Sequence, residues 1–387
     1  MARRAAKKTP RLTVFLGAGG VGKTTLSAAY ALGLAMEGRR VALLSIDPAK
    51  RMQSAIGLST LDDNGVDVKL PAGGRGRLTA FQLSVPVLLR RWVREQGLGP
   101  SHEKKLLEHS FFTVISEKLA SATDAFAAAR LAEIRESIPD LDEVVVDTAP
   151  GIHAIDFIVR PERLIDFMDS RVIGWIRSTA GREGGGLVSG VMRLGAKKVL
   201  SGLSLLGGEG FLAALGEFLF LLEGVLARLG DRLSLAHEWL RSDSASVHVV
   251  ASLREDALHA AETFHETLSQ LRITPRSVVL NRVVPAELQS DVGFVTFLRE
   301  TRDQEQRDVE RAGTCPSARQ EAIRMFSAYF LELCARQVAA RERLGALFPV
   351  VGQVPILSNL DSDREVRVGD LARLGATVRS EIQARGR

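Results

Sequence analysis

The chain predicts an α/β fold built on a doubly wound parallel sheet. Three observations carry that expectation. Apolar runs of strand length recur along the chain, helical patterns long enough for crossovers separate them, and a glycine-rich segment sits where the first run gives way to a helix. Leu12–Leu16, Val41–Ile46, Leu78–Leu83, Val144–Val146, Val247–Ala251 and Val278–Leu280 each have the composition of a buried strand. Parallel neighbours need crossover connections, and the intervening helical patterns supply them. Val350–Val354 then closes the sheet ahead of a final helix near Asp370–Arg385.

The expected division is a flexible basic tail at 1–11 and one domain over 12–387. Two stretches exceed a minimal crossover, and they predict helical-subdomain insertions at about 85–138 and 155–242. In the second, Phe211, Leu212, Leu215, Phe218, Leu219, Leu222, Val225, Leu226 and Leu229 recur at spacings of three and four, giving a broad apolar helical face. Two readings stay open for it: a helix buried in the subdomain, or a groove or lid for an apolar client. Arg299–Glu321, crowded with both charge signs, predicts a solvated helix with internal ion pairs.

Composition narrows the function classes. With 387 residues, 45% hydrophobic and 25% charged, the chain can bury a large core and is not intrinsically disordered. Two cysteines, Cys315 and Cys334, exclude a disulfide scaffold and a four-cysteine zinc site. The sequence has no uncharged apolar stretch of spanning length and no apolar core of a secretory signal after its basic start, so a cytoplasmic protein is expected. The net charge of +5 is carried largely by arginine, with a cluster at Arg3, Arg4, Lys7, Lys8 and Arg11. That cluster reads as a solubilising arm: no nucleic-acid partner is expected, and at most peripheral contact with a membrane. His237 and His248 read as surface or partly buried residues without metal-ligand spacing.

The chemistry concentrates in Gly17-Ala-Gly-Gly-Val-Gly-Lys-Thr24, which leaves a strand and enters a helix near Lys23. This is the GxxxxGK[ST] phosphate loop. Backbone N–H groups of the turn and the positive end of the helix surround phosphate, Lys23 reaches the β- and γ-phosphates, and the Thr24 hydroxyl ligates Mg2+. ATP and Mg2+ are the cofactors expected. Two aspartates lie at strand ends, in Ser45-Ile-Asp-Pro-Ala49 and Asp147-Thr-Ala-Pro-Gly-Ile-His153. Carboxyl ends of strands line the ligand crevice of such a sheet, so Asp47 and Asp147 are placed to hold Mg2+ or to orient water.

Taken together, these three motifs resemble the ArsA-type P-loop ATPases, a family that includes the arsenite-pump ATPase and the targeting factor for tail-anchored membrane proteins. The segment from Ala154 to Asp169 looks most like a bacterial branch of that family. The resemblance implies that Gly19, Gly20, Val21, Gly22, Lys23, Thr24 and Thr25 bind phosphate along with Gly17. It implies that Asp47 positions the attacking water, that Asp147 holds Mg2+ through water, and that His153 reports nucleotide state. Asn281 would read the adenine edge, and Pro355 and Ile356 would pack against the base. It further implies a dimer that closes on ATP, as a homodimer or with a paralogous ATPase, and moves helical subdomains carrying a hydrophobic client.

Three departures qualify this. Ala18 stands where the family carries a lysine that reaches the partner's ATP, so the expected ATP hydrolase is slow or depends on a partner that retains its lysine. The alternative is an ATP-binding, hydrolysis-impaired subunit of a hetero-oligomer. The CxxC of the dimer zinc site is missing, so no zinc is expected. Residues 100–180 hold no cysteine, which disfavours arsenite transport.

Overall fold

The computed structural model describes residues 9–47, 49, 51–97, 99–108, 112, 123–155, 225, 228–312, 317–355 and 368–383. Its centre is an eight-stranded sheet in the order β3-β4-β2-β5-β1-β6-β7-β8. The strands are β1 (Arg11–Gly17), β2 (Arg40–Ser45), β3 (Val66–Val68), β4 (Arg77–Gln82), β5 (Glu143–Asp147), β6 (Ala245–Ala251), β7 (Ser277–Val283) and β8 (Val351–Pro355). All neighbours are parallel except β3 and β4. Seven strands fall at the expected runs, and β1 takes in Arg11 from the expected tail. The eighth, β3, is three residues long, too short for a period to show in sequence.

The helices are α1 (Lys23–Met36), α2 (Arg51–Ala55), α3 (Val85–Glu95), α4 (Pro100–Leu107), α5 (Thr123–Ser137), α6 (Glu255–Gln270), α7 (Ala286–Ser290), α8 (Val292–Ala312), α9 (Ala318–Gly345) and α10 (Val368–Gln383), with residues 228–240 also helical. Helices cover both sheet faces, which is why β1 and β5 are apolar without alternation. On one face, Trp92, Phe126, Trp239 and Phe264 pack against Leu12, Val14 and Val144. On the other, α1 and α10 pack against Phe15, Leu43 and Val145. These two helices touch at Gly33 and Gly375. A Cβ on Gly375 would run into the Ala29 carbonyl, and one on Gly33 would lie 3.1 Å from the Gly375 backbone. No side chain intervenes, so the backbones cross in direct contact.

Within 85–138, α3 presents Leu88, Leu89, Trp92 and Val93 to the core, while Arg90 and Arg94 are exposed. Trp92 stacks on Phe126 of α5 with centroids 6.0 Å apart, and its indole N–H donates to Glu133 at 3.1 Å. A buried ion cluster joins this layer to the loop between α2 and β3. Asp63, fully buried, pairs with Arg91 and lies 3.3 Å from Arg130, and Arg130 and Arg91 both reach Glu133, at 3.2 and 3.1 Å. Of the apolar face expected over Phe211–Leu229, Val225 and Leu229 are described and buried in the core. Its remaining members lie outside the described residues.

The charged stretch at Arg299–Glu321 differs from the single helix expected. It is divided between α8 and α9, and α9 starts anew with a capping box in which Ser317 and Gln320 bond each other's backbone N–H. Gln337 of α9 accepts from Val284 N at 2.8 Å and bonds Gln353 of β8, fixing this long helix to the sheet. Among the described residues no helix is long and apolar enough to cross a membrane, and no group of His, Cys, Asp or Glu is arranged to hold a metal ion.

Candidate functional site

Because β1, β2, β5 and β7 run parallel, the loops leaving them meet on one edge of the sheet. There a cleft of about 180 Å3 is lined by Ala18, Gly20, Gly22, Lys23, Thr24, Thr25, Asp47, Arg51, Pro150 and Arg282, among others. The structure thus brings the phosphate loop, Asp47 and the segment after β5 together. Gly17 ends β1, its carbonyl accepting from Gly151 N at 3.1 Å, and Thr148 Oγ1 donates to Phe15 O at 2.8 Å. The post-β5 turn is therefore fastened to the strand that feeds the loop.

Gly22 is held at φ 90°, a left-handed backbone that favours glycine, and a Cβ there would also strike the Asn281 amide. Lys23 opens α1, is 5% exposed, and donates to Ala149 O at 3.0 Å. Burial pushes its ammonium below the ordinary value, while Asp147 and Asp47 pull it back up. Asp147 at the end of β5 is fully buried, and neither carboxylate oxygen has a hydrogen-bond partner among the described residues. Burial pushes its carboxyl up to about 6, against the pull of Lys23 and of the neighbouring Thr24 and Ser27 hydroxyls, which approach it without completing a well-aligned hydrogen bond. A buried carboxylate with both oxygens unpaired beside the Thr24 hydroxyl suits a hydrated divalent cation, so the residues present fit Mg2+.

Asp47 accepts from Ala49 N at 3.0 Å and lies 3.9 Å from Arg51. Its backbone carbonyl accepts from the Gln82 side chain at 2.8 Å. Arg51, Gln82 and Arg282 were not singled out by the sequence reading. Arg51 follows Asp47 by four residues on the next helix, a spacing that offered a signal; Gln82 and Arg282 offered none. Asn281 donates to Val21 O at 2.8 Å, and its own Oδ1 accepts from Arg282 N at 2.9 Å, so in this structure its amide braces the phosphate loop. Pro355 ends β8. Ile356 and the His153 side chain lie outside the described residues.

His248 requires a correction: it is buried on β6, its Nδ1 2.7 Å from Ser277 Oγ and its ring against Phe15 and Tyr30. Burial, with Arg276 and Arg11 nearby, lowers its pKa from 6.5 to about 3. Between those values the unfolded chain takes a proton that the folded chain refuses, so His248 supports the fold fully above pH 6.5 and this support is lost on acidification. Asp147 acts in the opposite sense. Its folded value of about 6 exceeds the ordinary 3.8, so the fold gains as pH falls through that window. In the absence of nucleotide and Mg2+, His248→Asn should therefore lose less thermal stability than wild type from neutral to acid pH, and Asp147→Asn should lose more. Melting midpoints across that range check this; equal slopes for all three proteins would contradict it.

Comparison with known proteins follows the same motifs. Residues 10–178 match the family of anion-transporting ATPases of the ArsA type. The arsenical pump-driving ATPase of Escherichia coli is 31% identical over 170 residues, which is 43% of this chain and 28% of that protein. ATPase ARSA2 of Chlamydomonas reinhardtii is 25% identical over 69% of this chain and 66% of its own. ATPase get3 of Sclerotinia sclerotiorum is 25% identical over 336 residues, 85% of each chain. The matches to the pump-driving ATPases of Escherichia coli and Acidiphilium multivorum thus span 28% of those proteins' length. Residues 10–178, which carry the phosphate loop and the strand-end aspartates Asp47 and Asp147, thus match the ArsA-type P-loop ATPase family.

Proposed function

We propose that this chain is a cytoplasmic Mg2+-dependent ATPase that uses ATP to close a dimer and hydrolysis to reopen it, exposing and covering an apolar surface for a client. One observation carries the catalytic half of this reading: the phosphate loop, Asp47 and the unpaired buried Asp147 line or adjoin one cleft. In such a cleft Lys23 neutralises charge on the transferring phosphoryl group, and Asp47 orients the attacking water. Thr24 and Asp147 would hold Mg2+, which neutralises charge on the phosphate oxygens when bound. Asp47 is suited to its role because the Gln82 bond to its carbonyl and the Ala49 N–H fix its carboxylate at the cleft wall. The client half rests on the apolar periodicity of Phe211–Leu229 and on the family.

A second reading is favoured by Ala18. It lines the cleft without charge where the family has a lysine, which suits an ATP-binding subunit that leaves turnover to a paralogous partner. Steady-state ATP hydrolysis by the purified chain separates the two. Under the main reading, Asp47→Asn lowers turnover by roughly a hundredfold or more while ATP binding persists. Binding without turnover in the wild type selects the partner-dependent subunit, and absence of ATP binding overturns both. Hydrophobic-dye fluorescence unchanged by ATP would remove the client half alone.

A further inference from the structure

We infer that Arg282 is a phosphate-binding residue of the cleft, supplying from β7 a positive charge to phosphate held by the loop. The inference rests on the nucleotide reading above and adds a ligand contact to it. The starting point is a change of phase in β7. Val278 and Leu280 pack into the core on one face of the sheet and Val279 into the core on the other. Strict alternation would send residue 282 to the same side as Val278 and Leu280, burying an arginine among apolar side chains. Instead the pairing with β8 shifts register between Asn281 and Val283, and Val283 takes the place in that core. Arg282 is the extra residue, held at φ 59° and left exposed at the carboxyl edge of the sheet.

A bulge re-aims one side chain at the cost of local backbone strain, and an arginine is an unfavourable residue to hold in the left-handed region. A side chain that only meets water gains nothing from that arrangement. Here it lines the cleft with Gly20, Lys23, Thr24 and Thr25. The other cations of the cleft already have partners: Lys23 bonds Ala149 O and faces Asp147, and Arg51 leans on Asp47. Among the described residues no hydrogen bond or ion pair engages the Arg282 guanidinium. Its backbone is fixed by Asn281, whose Oδ1 accepts the Arg282 N–H while its amide holds Val21 O. The same asparagine therefore ties the phosphate loop to the backbone from which the guanidinium extends. A planar fork of donors lining that cleft suits phosphate oxygens.

The test is calorimetric binding of Mg-ATP and of Mg-tripolyphosphate, which has no base, to wild type, Arg282→Gly and Arg282→Lys. Glycine accepts φ 59° freely, so Arg282→Gly should melt no lower than wild type. The expected result is a loss of at least tenfold in affinity for both ligands in Arg282→Gly, partial recovery in Arg282→Lys, and a shallower salt dependence of binding in the glycine variant. Unchanged tripolyphosphate affinity in Arg282→Gly overturns the inference, whether ATP binding is also unchanged or falls alone through a contact to the base. Wild type that binds neither ligand overturns the nucleotide reading and this inference with it.

Discussion

Lys23→Ala is expected to bring ATP turnover down to the buffer background and to weaken ATP binding by roughly a hundredfold or more. The size follows from what the ammonium does in the folded chain. It is almost wholly buried, bonded to the Ala149 carbonyl, and it is the cation whose pull opposes the rise of the Asp147 pKa. Removing it takes away the charge that meets the phosphates and at the same stroke leaves a fully buried carboxylate without its counter-ion. Asp147 then shifts further toward the protonated form, which is a poor partner for Mg2+. A second signature follows: the variant should need more Mg2+ for any residual nucleotide binding. Titrations of a fluorescent ATP analogue at several Mg2+ concentrations check both effects. Turnover within threefold of wild type would show that catalysis lies elsewhere.

Asp63→Ala is expected to cost about 3–5 kcal/mol of stability, the range for breaking a buried ion pair by removing one partner. Asp63 is fully buried, and the variant leaves Arg130, only 3% exposed, with Glu133 as its remaining carboxylate partner. The internal control is Asp67→Ala. Asp67 pairs with Arg77 at 3.3 Å, but both side chains are more than half exposed, so its loss should cost no more than about 1 kcal/mol. Urea unfolding midpoints of the two variants decide the matter, and equal losses would show that Asp63 adds nothing beyond a surface pair. The Asp63 variant should also disturb catalysis. Gln82 N bonds the Asp62 carbonyl at 2.9 Å while the Gln82 side chain bonds the Asp47 carbonyl, so the loop that anchors the ion cluster is one residue away from the support of Asp47.

What the sequence disclosed and what it withheld divide along the range of the interactions. The phosphate loop is legible because a turn that receives phosphate needs its glycines, lysine and threonine within eight consecutive residues. Seven strands are legible because a strand covered on both faces is a continuous apolar run, as in Val144–Val146. The strand Val66–Val68 has too few residues to show a pattern. The Asp63 cluster is invisible from sequence because its partners lie in α3 and α5, and only pairs three or four residues apart on one helix can be read directly. His248 escaped for a related reason. Its burial depends on Ser277 from the neighbouring strand and on two rings from β1 and α1, none of them near it in the chain. The re-aiming of Arg282 is likewise a matter of register between β7 and β8, and register is not written in either strand alone.

The glycine-to-glycine crossing of α1 and α10 has a consequence for the order in which this protein is made. Synthesis runs from the amino end, so the phosphate loop and α1 leave the ribosome before β7 and β8, and α10 follows them all. At about 5–20 residues per second, the interval between α1 and α10 is on the order of half a minute. Through that interval the Ala29–Gly33 stretch of α1 faces water in place of the Gly375 backbone, and Asn281 has yet to brace the loop from β7. The nascent chain thus carries its nucleotide motif well before α10 is made and brings the packing that steadies it.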